Sequence, residues 1–330
     1  MNGLKTKIER LADNVKGYLT MLCEMTYTSH YEWHIALRKR EKRIFESDGD
    51  GFISVPNDWR YWRADPFLFR YRDDDYVFVE MYDRWKEKGV IGVARIKNGK
   101  CGRFRVCLEL PWHLSYPCVV EDEKGIHMVP ECSASGELWM YRCRKFPMRW
   151  EKEKCIAKEA VADATPVLTE RGRLWYATKF PKGETQCNNN LAVCVESGLQ
   201  GNFEYVLKED TTVRPAGHFI KTEEGWLRPA QNCTDTYGGN LEFRQVEGIG
   251  TGAYSEKTMV AVFAPGMMTT SSGIHVKCKP IIGSGYGGLH TYNLNDNYEV
   301  IDLKYRGGRS IICLIKNFKK HYFSRGKKER

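Results

Sequence analysis

Ala64-Asp65-Pro66-Phe67-Leu68-Phe69 opens a pattern that returns three times along the chain. Tyr116-Pro117-Cys118-Val119-Val120, Thr165-Pro166-Val167-Leu168 and Arg214-Pro215-Ala216-Gly217 follow it, with the prolines 51, 49 and 49 residues apart. After each comes a turn, such as Arg72-Asp73-Asp74-Asp75, Glu123-Lys124-Gly125, Arg171-Gly172 or Glu224-Gly225. A second apolar run then follows, as in Tyr76-Val77-Phe78-Val79-Glu80 and Ile126-His127-Met128-Val129-Pro130-Glu131, and after it a third. Short strands joined by tight turns, repeated about every fifty residues, predict an all-β propeller.

A fifth repeat is irregular. Its first strand is expected at Gly288–Leu294 and its second at Tyr298–Tyr305, too late by about half a blade. Trp33-His34-Ile35-Ala36-Leu37-Arg38 has strand character and no partner in the first repeat. The expectation is that it completes the fifth blade and closes the ring, removing the unpaired sheet edges. The fold class predicted is therefore all-β, a five-bladed β-propeller over residues 31–306. It carries an N-terminal amphipathic helix within residues 1–30, from Leu4, Ile8, Leu11, Val15, Leu19 and Leu22, and a basic C-terminal tail over 307–330.

Composition narrows the function. The net charge of +9 resides wholly in residues 304–330, where ten Lys or Arg face the single acid Glu329. The body is neutral, which argues against a nucleic-acid partner. The apolar-then-basic tail suits contact with an anionic membrane surface, or simply a solvated end. Twelve cysteines without a Cys-x-x-Cys pair argue against a zinc cluster, and neither a metal nor another cofactor is expected. No apolar leader follows Met1-Asn2-Gly3, so the expected location is cytoplasmic, peripheral to the inner membrane face if the tail engages lipid.

A propeller brings the same position of every repeat to one axis. Asp65, Tyr116, Asp163, Arg214 and His290 stand at or near the starts of the innermost strands. Glu80, Glu131, Lys179 and Gln231 stand at the ends of the second strands, where apolar residues would otherwise be expected. Converging acids suit acid–base work on a glycosidic bond, with one carboxylate as base and a second kept protonated as acid. The catalytic candidates are Asp65, Glu80, Glu131 and Asp163. Arg214, Arg228, His218 and Lys179 suit an anionic ligand group. His113, Tyr116, Gln231, Asn232 and His290 complete the substrate-binding candidates. For any one of these residues, turn capping or a tie between blades is an equal alternative.

Several motifs carry a family resemblance. Ala64-Asp65-Pro66-Phe67-Leu68-Phe69, His113-Leu114-Ser115-Tyr116-Pro117, Val129-Pro130-Glu131, Phe146-Pro147, Asp163-Ala164-Thr165-Pro166, Arg214-Pro215-Ala216-Gly217, Arg228-Pro229-Ala230-Gln231-Asn232 and Gly288-Leu289-His290-Thr291 occur in this order. The pattern resembles the N-terminal domain of plant glucosamine inositolphosphorylceramide transferases and its free-standing bacterial relatives, from about Trp33 to Tyr305. More remotely it is similar to the five-bladed arabinanase, levansucrase and invertase-like glycosidases. The resemblance implies a role in glycolipid or surface-polysaccharide biosynthesis. It also implies Asp65 as base or nucleophile, with Asp163 as a pKa-tuning residue and Glu131 as acid; Glu80 is the alternative acid on position in the repeat. The third repeat departs from the pattern in reading Asp-Ala-Thr-Pro.

Two functions follow as expectations. One is a glycosyl-transferring or glycosidase-like enzyme. The other is a non-catalytic module that binds a glycan, sugar phosphate or nucleotide sugar and assists a partner glycosyltransferase. An inert scaffold, its polar groups mutually neutralised, is the third alternative.

Overall fold

The computed structural model describes residues 30–40, 51–170, 172–184, 187–196, 200–279 and 286–307. The expected N-terminal helix and the basic tail lie outside them. Residues Trp33–Tyr305 form one compact unit, and within it the chain is a five-bladed β-propeller.

The first blade runs outward through Tyr61–Tyr71, Asp74–Asp83 and Lys88–Lys97 to an edge made by Lys100–Cys101 and Arg105–Leu108. The second comprises Ser115–Asp122, Gly125–Glu131, Leu138–Lys145 and Arg149–Ala157. The third comprises Val161–Thr169, Gly172–Lys179, Asn190–Val195 and Glu204–Lys208. In the fourth, Arg214–Pro215 and Ile220–Thr222 share the innermost position beside Gly225–Asn232, followed by Asn240–Glu247 and Ser255–Phe263. All the strand pairs within these four series are antiparallel.

The fifth blade is built from both ends of the ring. Tyr292–Leu294 and Tyr286–Gly288 pair with Tyr298–Gly307, which lies beside His30–Lys39, and Phe52–Ser54 follows. The closing strand expected at Trp33–Arg38 is therefore present. The extra residues before the fifth repeat supply two edge strands. Ile274–His275 adds to the fourth blade and Cys278–Lys279 to the fifth, both in parallel.

Both faces of a blade are covered by its neighbours, so the strands carry near-continuous apolar runs rather than simple alternation. Five apolar clusters fill the five seams. Phe67, Phe78 and Ile91 meet Tyr116, Cys118 and Met128 between the first and second blades. Val129, Met140 and Ile156 meet Trp175 and Ala192 in the next seam. Val167, Tyr176 and Leu191 meet Val213 and Trp226, and Leu241, Phe243 and Val262 meet Tyr292 and Ile301. Ile35, Leu37 and Val300 against Val77, Val79 and Met81 close the ring. Truncating one of the large buried side chains among these, such as Phe67, Ile91, Met140 or Phe243, to Ala removes about 2–5 kcal/mol of stability.

One local device recurs. The innermost strand of each of the first three blades has a bulge where its register against the second strand shifts, between Ala64 and Phe67, Ser115 and Cys118, and Ala162 and Thr165. At each bulge one residue takes a left-handed backbone: Asp65 at φ 48°, Tyr116 at φ 44° and Asp163 at φ 57°. A non-glycine residue there costs about 1–3 kcal/mol, and such strain gathers where a side chain must be aimed. The third repeat thus keeps the bulge although its proline comes two residues later. The left-handed residue marks the equivalent position, and the proline only accompanies it.

Candidate functional site

The bulges turn Asp65, Tyr116 and Asp163 toward residues of the other blades, and a chain of contacts runs around the axis. The Tyr116 backbone N–H donates to Asp65 Oδ2 at 3.1 Å. Tyr116 Oη lies 2.7 Å from Thr165 Oγ1, which donates to the Asp163 carbonyl oxygen at 3.0 Å. Asp163 Oδ2 accepts from Arg214 Nε at 2.6 Å and from Gln231 Nε2 at 3.0 Å. Thr291 Oγ1 donates to Asp65 Oδ1 at 2.9 Å. Each of the five blades contributes, so the side chains of Asp65, Tyr116, Asp163, Arg214, Gln231 and His290 come together as one buried cluster.

His290 lies between two carboxylates. Its Nδ1 is 2.7 Å from Asp302 Oδ2 and its Nε2 is 3.5 Å from Asp65 Oδ1. Asp302 also accepts from the backbone N–H groups of Asp65, His290 and Thr291. Trp33 stacks on the imidazole with centroids 3.8 Å apart, and Tyr237 meets both rings edge-on. Burial works against a charged His290, but Asp302 and Asp65 outweigh it and raise its pKa. Ligand atoms of Asp65, His290 and Asp302 lie within 4.8 Å of one another, a spacing a cation could also use. As built, the imidazole bridges the two acids.

The acids differ in surroundings. Burial pushes Asp65 up to about 6, with His290 opposing it. Burial also pushes Asp163 up to about 6, against the pull of Arg214. Glu131 sits between Ser133 Oγ at 2.9 Å and Arg214 Nη2 at 3.7 Å. Glu80 is the least compensated. Its Oε1 is buried without a hydrogen-bond partner, and His113 Nε2 lies 3.3 Å away. Burial, then the charges of Asp65 and Glu131, lift its pKa well above the ordinary carboxylate range. His113 is fixed in turn, because its Nδ1 accepts from the Gly89 N–H at 2.9 Å. A proton on Nδ1 would meet that donor, and burial also lowers its pKa, so His113 is held neutral with its Nε2 proton toward Glu80.

Other candidates go elsewhere. Arg228 is fully buried but points into the fourth blade, where Nε and Nη2 grip Glu256 at 2.6 and 2.8 Å. Its position in the second strand places it on the packing side. Lys179 turns to Glu159 Oε1 at 2.8 Å and the Phe203 carbonyl at 2.9 Å. Asn232 donates to Glu242 and accepts from the Thr234 N–H. His218 reaches Phe67, ring centroids 5.1 Å apart, and burial lowers its pKa to about 4, so it is a neutral packing group. These four do not join the cluster because neighbouring elements already satisfy or enclose them.

Asp302, Thr291, Trp33 and Tyr237 were not foreseen. Asp302 had a signal: an acid set directly between Val300-Ile301 and Leu303. Trp33 had none, since its contact depends on the closing strand. The acidic turn at 73–75 is structural, with Asp75 accepting from Asn295 and Asn297 of the fifth blade at 2.8 Å each.

The ring and its polar centre define a five-bladed β-propeller with an axial cluster of acids, a histidine and an arginine. The chain belongs to the family described as glucosamine inositolphosphorylceramide transferase 1, N-terminal, which it matches over residues 55–269. The match holds Asp65, Glu80, Glu131, Asp163 and Arg214, whereas His290 and Asp302 lie beyond it. Glucosamine inositolphosphorylceramide transferase 1 of Oryza sativa subsp. japonica is 30% identical over 204 residues, 58% of this chain and 27% of that protein. The Arabidopsis thaliana protein of the same name is 28% identical over 203 residues, 58% and 26% of the two chains. The chain thus spans about a quarter of the length of these relatives.

Among solved structures, an alpha-L-arabinofuranosidase from Podospora anserina in complex with cellotriose superposes with a TM-score of 0.51 at 10% identity, covering 79% of this chain and 93% of its own. The catalytic domain of a Coprinopsis cinerea GH62 alpha-L-arabinofuranosidase gives 0.50 at 10% identity, covering 84% and 98%. At that identity the likeness is one of fold.

Proposed function

We propose that the axial cluster binds a sugar and that the chain makes or breaks a glycosidic bond in glycolipid or surface-polysaccharide biosynthesis. The observation that carries this reading is the contrast between Asp65 and Glu80. Asp65 is held by two hydrogen bonds and faces His290, a setting for an ionised base or nucleophile. Glu80, buried with the neutral His113 beside it and no cation in contact among the described residues, is a carboxylic acid kept protonated, which a leaving oxygen requires. Asp163, neutralised by Arg214, tunes the field between them. The names of the plant relatives and the arabinofuranosidase-like fold support a carbohydrate ligand.

Wild-type protein should be stabilised thermally by its ligand in a screen of oligosaccharides, sugar phosphates and nucleotide sugars, and should convert that ligand. Asp65→Asn and Glu80→Gln should each abolish conversion while the protein remains folded. Full turnover in either variant refutes the assignment. The pairings Asp163–Arg214 and Asp65–His290–Asp302 favour a second reading, a glycan or sugar-phosphate module that assists a partner glycosyltransferase. Stabilisation by ligand without any product selects it. A cytoplasmic site of action, with the basic tail resting on anionic lipid, belongs to the same proposal. Co-sedimentation with phosphatidylserine vesicles, with and without residues 307–330, tests the tail.

A further inference from the structure

A cavity lies away from the axial cluster. It has a volume of about 550 Å³, within the range of roughly 300–1,000 Å³ found for small-molecule sites. One wall is the segment that leads from the fifth blade into the first, carrying Asp58, Trp59 and Arg60. The other is the outer edge of the first blade, carrying Arg103 and Phe104. Strand alternation explains why it is separate from the axial cluster. Ala64 pairs with Glu80, which belongs to the cluster, and Arg63 pairs with Met81, and both members of that pair line the cavity.

Its chemistry is unbalanced. Three guanidinium groups, of Arg60, Arg63 and Arg103, line it against the single carboxylate of Asp58. Arg60 is held by Asp83, with Nη2 2.7 Å from Oδ2. Arg63 is 5% exposed and lies over the Phe104 ring at 4.4 Å. Its Nη groups bond Asp58 at 2.5 Å and the Pro56 carbonyl at 3.0 Å, while its Nε is buried without a partner. Asp58, half-exposed, pairs with it, and burial lowers the Arg63 pKa against that pull. Arg103 is exposed. Trp59 is 63% exposed and offers a flat apolar face beside these cations. Aromatic faces take the C–H side of a sugar ring, and guanidinium forks take carboxylate or phosphate.

We propose that this cavity is a second carbohydrate site, specific for a sugar ring that bears a carboxylate or phosphate group. Trp59 supplies the ring platform and Arg103 the anion contact, while Arg63, held behind them by Asp58 and Pro56, adds positive charge to the wall. The proposal stands apart from the axial site and does not depend on its chemistry.

Isothermal titration of the full chain with glucuronic acid, glucose 6-phosphate, glucose and inorganic phosphate tests it. The two anionic sugars should bind saturably, with the stronger naming the preferred anion, and glucose and phosphate at least tenfold more weakly. The double variant Trp59→Ala/Arg103→Glu changes two exposed residues and should keep its melting temperature. It should lose at least about tenfold in affinity, the minimum expected when one charge-assisted contact goes, with the lost aromatic platform adding to it. The control variant Arg149→Ala, at an exposed position on the outer strand of the second blade, should bind the same probes as wild type does. The proposal is overturned by absence of saturable binding, by phosphate binding as tightly as the sugars, or by wild-type affinity in the double variant.

Discussion

Arg214 Nε donates to Asp163 Oδ2 at 2.6 Å across the seam between the third and fourth blades, with both side chains buried. The pair joins two distant segments and neutralises part of an acidic centre. Burial opposes charge on both partners, yet the acids raise the Arg214 pKa further, so the guanidinium is the fixed member. Arg214→Ala would leave Asp163 and Glu131 buried without their cation. It should lower unfolding free energy by about 3–5 kcal/mol, read from urea denaturation. Arg214→Lys should recover only part of this, because an ammonium cannot also span Asn188 Oδ1, which Nη1 reaches at 2.7 Å.

The pH response of Asp65 has a defined sign. Its carboxyl titrates near 6 in the folded chain and near 3.8 unfolded. Between those values the folded state holds more protons, so this group favours folding in acid and loses that effect as pH rises from about 4 to about 6. The stability of wild type relative to Asp65→Asn should decline over that interval, as measured by denaturation at a series of pH values. If Asp65 is the base, turnover should rise with pH through about 6.

Gly89 keeps space for Glu80. A Cβ there would overlap the Leu114 carbonyl oxygen and come within 2.7 Å of Glu80 Oε1 and 3.0 Å of His113 Cε1. Gly89→Ala should therefore displace the Glu80–His113 pair and cost about 1–3 kcal/mol by overpacking. A crystal structure of the variant, with its urea midpoint, checks both parts.

Arg228 supplies a contrast. Its bidentate pair with Glu256 is buried, and Tyr254 and Arg244 share that carboxylate. Glu256→Gln should lower stability by about 3–5 kcal/mol. The affinity of the axial site for its ligand should stay unchanged, measured by titration well below the melting temperature.

The repeat was legible because it rests on local chemistry. Pro66 and Pro117 lack an N–H, which suits them to the bulges they follow, and the apolar runs after them are covered on both faces. The same frame located Asp65, Glu80, Glu131, Asp163 and Arg214. It misplaced Arg228 and Lys179 because a position in the repeat does not say which nearby group a long side chain will bond. Glu256 and Glu159 are those groups. Asp302 and Trp33 escaped notice for another reason. They belong to the one blade assembled from segments more than two hundred residues apart, where no spacing within a repeat reveals the contact.

That two-ended blade also sets when the centre can exist. Trp33 and Asp65 leave the ribosome early, but the imidazole they flank and the acid that anchors it are translated more than two hundred residues later. A nascent chain halted anywhere before position 302 has four blades at most and an unfinished middle. The bridge from Asp302 through His290 to Asp65 is therefore the last part of the polar centre to be completed, in the same step that shuts the circle.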